Sequence, residues 1–393
     1  MAGKLIKKGA NVMLLGDLII NYDYMRVPLS SKQRENIDKV YPYYGAQGII
    51  DYVDRYLFDG EYMLIAEDGE NLRSRKLPIA TIVSGKFWVN NHAHIVTANE
   101  HSNLRFLCYW LNSTDISEYI TGSAQPKLNQ ANLNKIPIPD LSKKEQDDIG
   151  AILSGYEDKI ESNKKQVSML ADTINSIYYN WFYDFNYPNP TGELQNGIPM
   201  NWERSNVFER VFEVKEKNKN NNDYPVLSVI KEGEFKLSDD VFTKQVYSKS
   251  TVNYKIVRRN QVAYNPARAN IGSIAMLTDF DVGLVSPIYV VFELKETITP
   301  TFFYYYMKQP MFLENIKHHA IGTTRQNFPF EAFKMFDIIV PPMELQLRFE
   351  EIAKPIEQKI AKLKEENAVL AEIRDTLLPK LISGELPVEV GEA

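Results

Sequence analysis

The sequence predicts an α+β protein. Two globular units of mixed strands and helices are each followed by a long helix, and the helices pair as an antiparallel coiled coil with a pseudo-twofold internal repeat. Three observations predict this. TGSAQPKLNQANLNKIPIP at 121–139 returns in outline as GTTRQNFPFEAFKMFDIIVPP at 322–342. Aligned on Gly122 and Gly322, the offset of 200 also holds at Ile138/Ile338, Gln146/Gln346, Glu157/Glu357, Lys159/Lys359, Ile160/Ile360, Leu170/Leu370 and Ala171/Ala371. After each copy, apolar residues recur at alternating spacings of four and three, the period of a coiled-coil seam. The expected divisions are a first unit at 1–141, a helix at 142–185, a second unit at 186–342, and a second helix with its tail at 343–393.

In the first unit, YPYYGAQGIIDYV, EYMLIAEDGE, LPIATIV and FWVNNHAHIVTA alternate as strands do, and LRFLCYWLNSTDISEYI has a helical period. In the second unit, YPVLSVIKEGEF, NYKIVRRNQVAYNP, GSIAMLTDF and GLVSPIYVVFEL are strand-like, and TPTFFYYYMKQPMFLENIKHH is the helical counterpart. Upstream similarity is faint: Tyr41-Pro42 resembles Tyr224-Pro225, and LRFLCYWLNS resembles PTFFYYYMKQ. A duplicated unit whose front part has diverged accounts for this. FNYPNPTGELQNGIPMNW (185–202) reads as a linker and KEKNKNNNDY (215–224) as a solvated loop.

The first seam runs through Ile149, Leu153, Tyr156, Ile160, Asn163, Val167, Leu170, Ile174, Ile177 and Trp181. The second runs through Phe349, Ala353, Ile356, Ile360, Leu363, Asn367, Leu370, Arg374, Leu377 and Leu381, with Pro355 expected to kink or restart the helix. A helix of roughly 40 residues is about 60 Å long and outruns a small domain, so each seam needs a partner. Antiparallel pairing that sets Asn163 against Asn367 also sets Ile160 against Leu370, Leu170 against Ile360, Val167 against Leu363 and Trp181 against Phe349, about a centre at Lys165/Glu365. A buried asparagine pair costs stability and fixes register.

Charge and composition narrow the function. The chain of 393 residues is 44% hydrophobic, which suits folded domains, and has no run of about eighteen apolar residues that would span a membrane. The N-terminal stretch is a poor signal peptide and the lone Cys108 cannot form an internal disulfide, so a cytoplasmic setting is expected, with Cys108 in the core. The net charge of −6 lies in the helical segments, −3 in 142–185 and −4 in 343–393; the two large units are close to neutral and can carry a basic face.

No catalytic constellation emerges. There is no phosphate-binding glycine loop, and Tyr264-Asn265-Pro266-Ala267 lacks the second proline and the aromatic of an adenine methyltransferase motif. His92 and His94 could share a strand face, yet no further Cys or His cluster completes a metal site, and His318-His319 suits a helix C-terminus. Polar loops are more informative. LRSRK puts Arg73, Arg75 and Lys76 on one exposed, hairpin-like segment, and SAQPK supplies Ser123, Gln125 and Lys127. RRNQVAYNPARAN supplies Arg258, Arg259, Tyr264, Asn265, Arg268 and Asn270; GTTRQN supplies Thr323, Thr324, Arg325, Gln326 and Asn327. Arg, Asn and Gln make paired contacts to guanine and adenine edges, while Lys, Ser and Thr hold phosphates. Such groups recur beside the glycine in both units, which favours DNA over a surface that is merely solvated.

The duplicated glycine-polar segment, the Ile-Pro-Ile-Pro and Ile-Val-Pro-Pro strand ends, the following Gln146 and Gln346, and the two long helices together resemble the specificity subunits of type I restriction-modification enzymes. The ending IRDTLLPKLISGEL (373–386) is similar to that family's closing motif. The resemblance covers essentially the whole chain. It implies two target-recognition domains, each reading half of a bipartite double-stranded DNA site, with helices that set the gap and dock two modification subunits. It implies no catalysis by this chain: S-adenosylmethionine is expected in the methyltransferase partners, and ATP with Mg in a restriction subunit. Ser-Ala-Gln-Pro in the first copy stands where the second has Thr-Thr-Arg-Gln, so the arginine contact does not transfer between copies. The rival reading is a structural adaptor with two protein-binding domains on a coiled coil.

Overall fold

A computed structural model describes residues 11–188, 190, 193–241, 250–320, 327–382 and 385–386. The chain divides into two compact units, residues 1–165 with 363–393, and residues 166–362, so the division falls inside the two long helices.

The first unit contains β1 (Val12–Leu14), β2 (Ile19–Asn21), β3 (Tyr41–Gly45), β4 (Gly48–Val53), β5 (Phe58–Ala66), β6 (Ala80–Val89), β7 (Ala93–Ala98) and β8 (Pro137–Pro139). Its helices are α1 (Ser31–Arg34), α2 (Asn71–Ser74), α3 (Leu104–Ser113), α4 (Gln130–Leu133) and the start of α5 (Lys143–Phe182). Among the described residues the sheet has the order β2-β7-β5-β6-β3-β4, and β1 pairs antiparallel with β8, Met13 opposite Ile138. The amphipathic α3 is started by Asn103, whose side chain accepts from the Phe106 N–H; it buries Phe106, Leu107, Trp110 and Leu111 with Met63, Ile65 and Val96.

The second unit contains β9 (Leu194–Gln195), β10 (Ile198–Pro199), β11 (Glu203–Asn206), α6 (Val207–Arg210), β12 (Val211–Val214), β13 (Leu227–Val229), β14 (Phe235–Leu237) and α7 (Ser238–Val241). There follow β15 (Lys255–Arg258), β16 (Val262–Tyr264), β17 (Ile274–Met276), β18 (Val282–Val285), β19 (Val290–Leu294), α8 (Pro300–Lys308), α9 (Pro310–His319), β20 (Asp337–Val340) and the start of α10 (Met343–Ile382). The order β12-β19-β16-β17 reproduces β2-β7-β5-β6, and the β11/β20 pair, Ser205 opposite Ile338, reproduces β1/β8. The duplication therefore extends through the front of each unit, where the sequences have drifted apart. β3-β4 extend the sheet of the first unit, whereas the second has separate pairs β13-β14 and β15-β18.

The repeated glutamine has the same task in both units. Gln146 is fully buried; its Oε1 accepts from the Asn103 N–H at 3.1 Å, and its Nε2 donates to the carbonyls of Leu141 (2.9 Å) and His101 (3.3 Å). Gln346, also fully buried, accepts from the Thr299 N–H at 2.8 Å and donates to Pro341 (2.9 Å) and Thr297 (3.3 Å). Asn103 and Thr299 are the N-caps of α3 and α8. One amide thus ties the root of each long helix to the start of its unit's packing helix.

Both long helices are continuous over 40 residues. Every described residue of the two seams is buried or half-buried. In the first unit Asn163 Nδ2 donates to Asn367 Oδ1 at 3.0 Å, Lys159 pairs with Glu366 at 3.4 Å, and Arg374 pairs with Glu157, an antiparallel register. In the second unit Trp181 and Phe349 lie 6.2 Å apart between ring centroids, beside Ala353 and Ile174 in one core.

Several local expectations are corrected. Pro355 does not end α10: the helix runs through it, and both Pro355 and Glu351, whose carbonyl it leaves without an N–H, are exposed residues. YPYYGAQGIIDYV is a hairpin, β3-β4, and FWVNNHAHIVTA is split between β6 and β7 by a turn carrying His92. NYKIVRRNQVAYNP becomes β15 and β16 in separate sheets, with Asn260 at φ 68° between them. Pro310 restarts the helical segment of the second unit as α9. KEKNKNNNDY is organised around fully buried Asn218, whose Nδ2 donates to Asn222 O and Thr251 Oγ1.

Candidate nucleic-acid interface

In the first unit the polar segment is a closed turn. Thr121 and Lys127 exchange backbone hydrogen bonds at 2.8 Å in each direction. Gly122 sits at φ 83°, and a Cβ there would lie 2.2 Å from the Gln125 carbonyl, so the turn requires glycine. Pro126 and Leu128 are buried anchors that leave Ser123, Gln125 and Lys127 exposed. The anchors are bonded to the loop after β5: the Leu128 N–H donates to Glu67 O at 2.8 Å, and the Gly69 N–H to Pro126 O at 3.1 Å.

Arg73 joins this turn from α2, donating to the carbonyls of Ser123 (3.0 Å) and Gly122. LRSRK is not a hairpin: Asn71, buried, bonds both the N–H and the carbonyl of Leu77 and curls the segment into a short helix that ends at Arg75 with φ 50°. Arg75 is turned away from the turn. Its Nη2 donates to the carbonyls of Leu111, Asn112 and Thr114 and so caps the C-terminus of α3. Burial lowers its pKa, with the nearby Asp115 opposing. Lys76 is exposed. Gln47 belongs with the group and was missed by sequence reasoning: it is exposed on the β3-β4 turn, and a Cβ on Gly69 would lie 3.7 Å from its Nε2. The only signal for it is the short Gly45-Ala-Gln-Gly48 turn.

Beneath the turn lies a charged cluster. Arg26 pairs with Glu67 at 2.6 Å and Asp23 at 3.5 Å; Lys127 pairs with Glu67 at 3.2 Å. Burial alone would raise the Asp23 carboxyl, but the His94 hydrogen bond and charge, the Ile95 N–H and Arg26 outweigh it and hold the pKa below the ordinary carboxylate value. Glu67 is likewise lowered despite burial, by Arg26, His94 and Lys127. His92 bonds Asp68 at 2.6 Å from its turn. Among the described residues no group of His, Cys, Asp and Glu is arranged to hold a metal ion. Cys108 is a core thiol, pushed up to about 12 by burial.

The second unit repeats the anchor. The Phe328 N–H donates to Pro266 O at 3.0 Å, as Leu128 does to Glu67, and Phe328 and Leu128 are both fully buried. Exposed Asn327 and exposed Arg268 therefore flank one bond, with half-buried Asn270 on the same loop. Thr323, Thr324, Arg325 and Gln326 lie outside the described residues. Arg258 and Arg259 precede β16 while Arg268 follows it, so they leave opposite ends of that strand; they pair with Glu216 and Asp281, both at 2.9 Å. Tyr264 is corrected outright: its ring is fully buried against Phe292, Phe328 and Phe333, because its place on β16 faces the core.

The geometry defines a class: one α+β framework present twice, with the same internal bond in each copy, beside an exposed polar turn in the first unit and exposed Asn327 and Arg268 in the second. The family description of the type I restriction modification DNA specificity domain matches the chain over residues 8–169 and again over 206–373. The chain belongs to that family and carries its domain twice. A Haemophilus influenzae protein described as a type I restriction enzyme specificity subunit is 42% identical over 115 residues, which is 29% of this chain and 29% of that one. The type I restriction enzyme MjaIX specificity subunit of Methanocaldococcus jannaschii is 27% identical over 311 residues, covering 72% of this chain and 69% of its own length. The HindI specificity subunit of Haemophilus influenzae is 23% identical over 414 residues, 84% of each chain. In fold, the chain is similar to the crystal structure of a type I restriction-modification system S subunit from M. genitalium, with a TM-score of 0.61, 14% identity, and coverage of 96% of this chain and 98% of that one. Among the described residues no helix is long and apolar enough to cross a membrane.

Proposed function

We propose that this chain is the DNA-reading subunit of a type I restriction-modification complex. Each unit recognises one half of a bipartite duplex site through its polar turn and the loop bonded to it. The observation that carries this reading is the repeated anchor, Leu128 to Glu67 and Phe328 to Pro266, which presents different polar side chains from one framework. A common scaffold with variable tips suits two different half-sites read by one chain. The chain performs no chemistry itself. Modification subunits that bind S-adenosylmethionine dock on the long helices, which set the gap between half-sites, and an ATP-dependent restriction subunit completes the assembly.

The test is co-expression with the neighbouring modification subunit followed by methylome sequencing. A bipartite motif is expected, one half changing when residues 11–141 are exchanged for those of another family member and the other half when 203–342 are exchanged. Arg268→Ala is expected to weaken one half-site only. Loss of neither half in either exchange would favour a structural adaptor.

A further inference from the structure

The turn of the first unit is held at its end by a histidine. His94 on β7 is 1% exposed, with Nε2 2.7 Å from the Leu128 carbonyl oxygen and Nδ1 2.5 Å from Asp23 Oδ2. A carbonyl oxygen and a carboxylate only accept, whereas a neutral imidazole donates from one nitrogen. Both bonds are made together only by the doubly protonated ring. The groups facing it suit a cation: Asp23, and Glu67 at 3.9 Å, which in turn holds Arg26 and Lys127.

We propose that His94 is a positioning residue for DNA reading by the first unit, its imidazolium fixing the Leu128 carbonyl while Glu67 O fixes the Leu128 N–H. Leu128 is then held at both of its backbone polar groups, one on each of the two peptides that flank its Cα, and Ser123–Lys127 leaves the framework at a set angle. The inference rests on the reading of that turn as a DNA contact. Among the described residues the second unit has no counterpart. His94 pairs across the sheet with Ile65, two residues before Glu67, and the matching position opposite Tyr264, two residues before Pro266, is Val290, which has no side-chain donor. Dependence on the clamp is therefore confined to one half-site, and the other serves as an internal control.

The experiment compares His94→Asn with His94→Gln in the full chain assembled with its modification subunits. Asparagine places its amide near the Nδ1 position and keeps Asp23 while losing Leu128; glutamine reaches the Nε2 position and keeps Leu128. Backbone hydrogen exchange across 121–128 is expected to quicken about tenfold in the asparagine variant, the loss of one ordinary hydrogen bond. The half-site read by the first unit is expected to relax in the methylome while the other half stays unchanged, and glutamine is expected to restore both readouts. Unchanged exchange in His94→Asn, or equal behaviour of the two variants, overturns the clamp. Quickened exchange with both half-sites intact overturns instead the assignment of Ser123–Lys127 to DNA. A measurement on the unaltered chain guards against variants that do not fold: ring 15N shifts are expected to report a proton on each His94 ring nitrogen, and a ring with a single proton overturns the proposal.

Discussion

Asn163 and Asn367 meet in the seam of the first unit's helix pair. Asn163 donates to Asn367 at 3.0 Å, and Asn367 Nδ2 reaches the Ile160 carbonyl at 3.3 Å. Asn163 is fully buried, and its own Oδ1 has no partner among the described residues. Such a pair specifies stagger at the expense of stability. Asn163→Leu alone is expected to destabilise the first unit by about 1–3 kcal/mol, because Asn367 Oδ1 is left without its donor. The double variant with Asn367→Leu is expected to recover that loss and exceed the parent. Urea unfolding of the three chains decides it: a double variant no more stable than the single one contradicts the register role.

Gln146 and Gln346 make a parallel prediction that separates the two units. Each fully buried glutamine makes three hydrogen bonds through its amide, so Gln146→Leu is expected to cost about 3 kcal/mol, taking about 1 kcal/mol per bond. Hydrogen exchange is expected to quicken at the start of α3 and not at α8, with the reverse for Gln346→Leu. Equal effects at both helices would mean that the two units do not unfold separately.

The legibility of these features follows their range in sequence. The helix seams, the repeat and the asparagine register are local periodicities, and a 3.5-residue period names its own partner when it occurs twice. Gln146 was visible as a repeated letter, but its task depends on Asn103, 43 residues away, and nothing in the intervening pattern marks that contact. Tyr264 misled because polar and basic neighbours in RRNQVAYNPARAN suggest a surface, while strand alternation and the packing of Phe328 and Phe333 decide its direction. Gln47 carries no periodic signal at all. His94 was legible as a candidate ligand by its spacing from His92; a turn moved His92 off the strand and left His94 a different role.

Tyr264→Phe tests the correction directly. The phenol oxygen is buried with no partner among the described residues, and burial raises its pKa far above the ordinary tyrosine value. Removing an unsatisfied buried hydroxyl is expected to leave stability unchanged or raise it by about 1 kcal/mol. DNA affinity is expected to be unchanged. A loss of either, by thermal melting or by titration with the methylated motif, contradicts the core placement.

Acid sensitivity follows from Asp23 and Glu67. Both carboxyls titrate below their ordinary values in the folded chain, so the unfolded chain binds protons first as pH falls. Their contribution is complete above the ordinary carboxylate range of about 4 and is lost as pH drops through it toward the folded values. Asp23→Asn is expected to lower the melting temperature at neutral pH. The gap from the parent is expected to narrow steadily as pH is lowered, since the parent loses what the variant already lacks. A gap that stays constant with pH would assign Asp23 a role in packing and not in charge.

Lys127 and Gln47 lie at the same turn but differ in chemistry, which separates anchoring from reading. Lys127 is an exposed ammonium paired with Glu67 at 3.2 Å, a point charge suited to a phosphate; Gln47 offers an uncharged donor and acceptor beside Gly69. A phosphate contact contributes through released counterions, so Lys127→Ala is expected to weaken binding to all duplexes alike. The slope of log affinity against log salt is expected to fall by about 0.9. An amide that reads a base edge releases none, so Gln47→Ala is expected to leave that slope unchanged and to cost about 1–3 kcal/mol only on the cognate half-site of the first unit. Salt titrations of the assembled complex on cognate and scrambled duplexes measure both quantities. A Gln47→Ala variant that weakens both duplexes equally would show that Gln47 does not read bases and that specificity lies elsewhere on the turn.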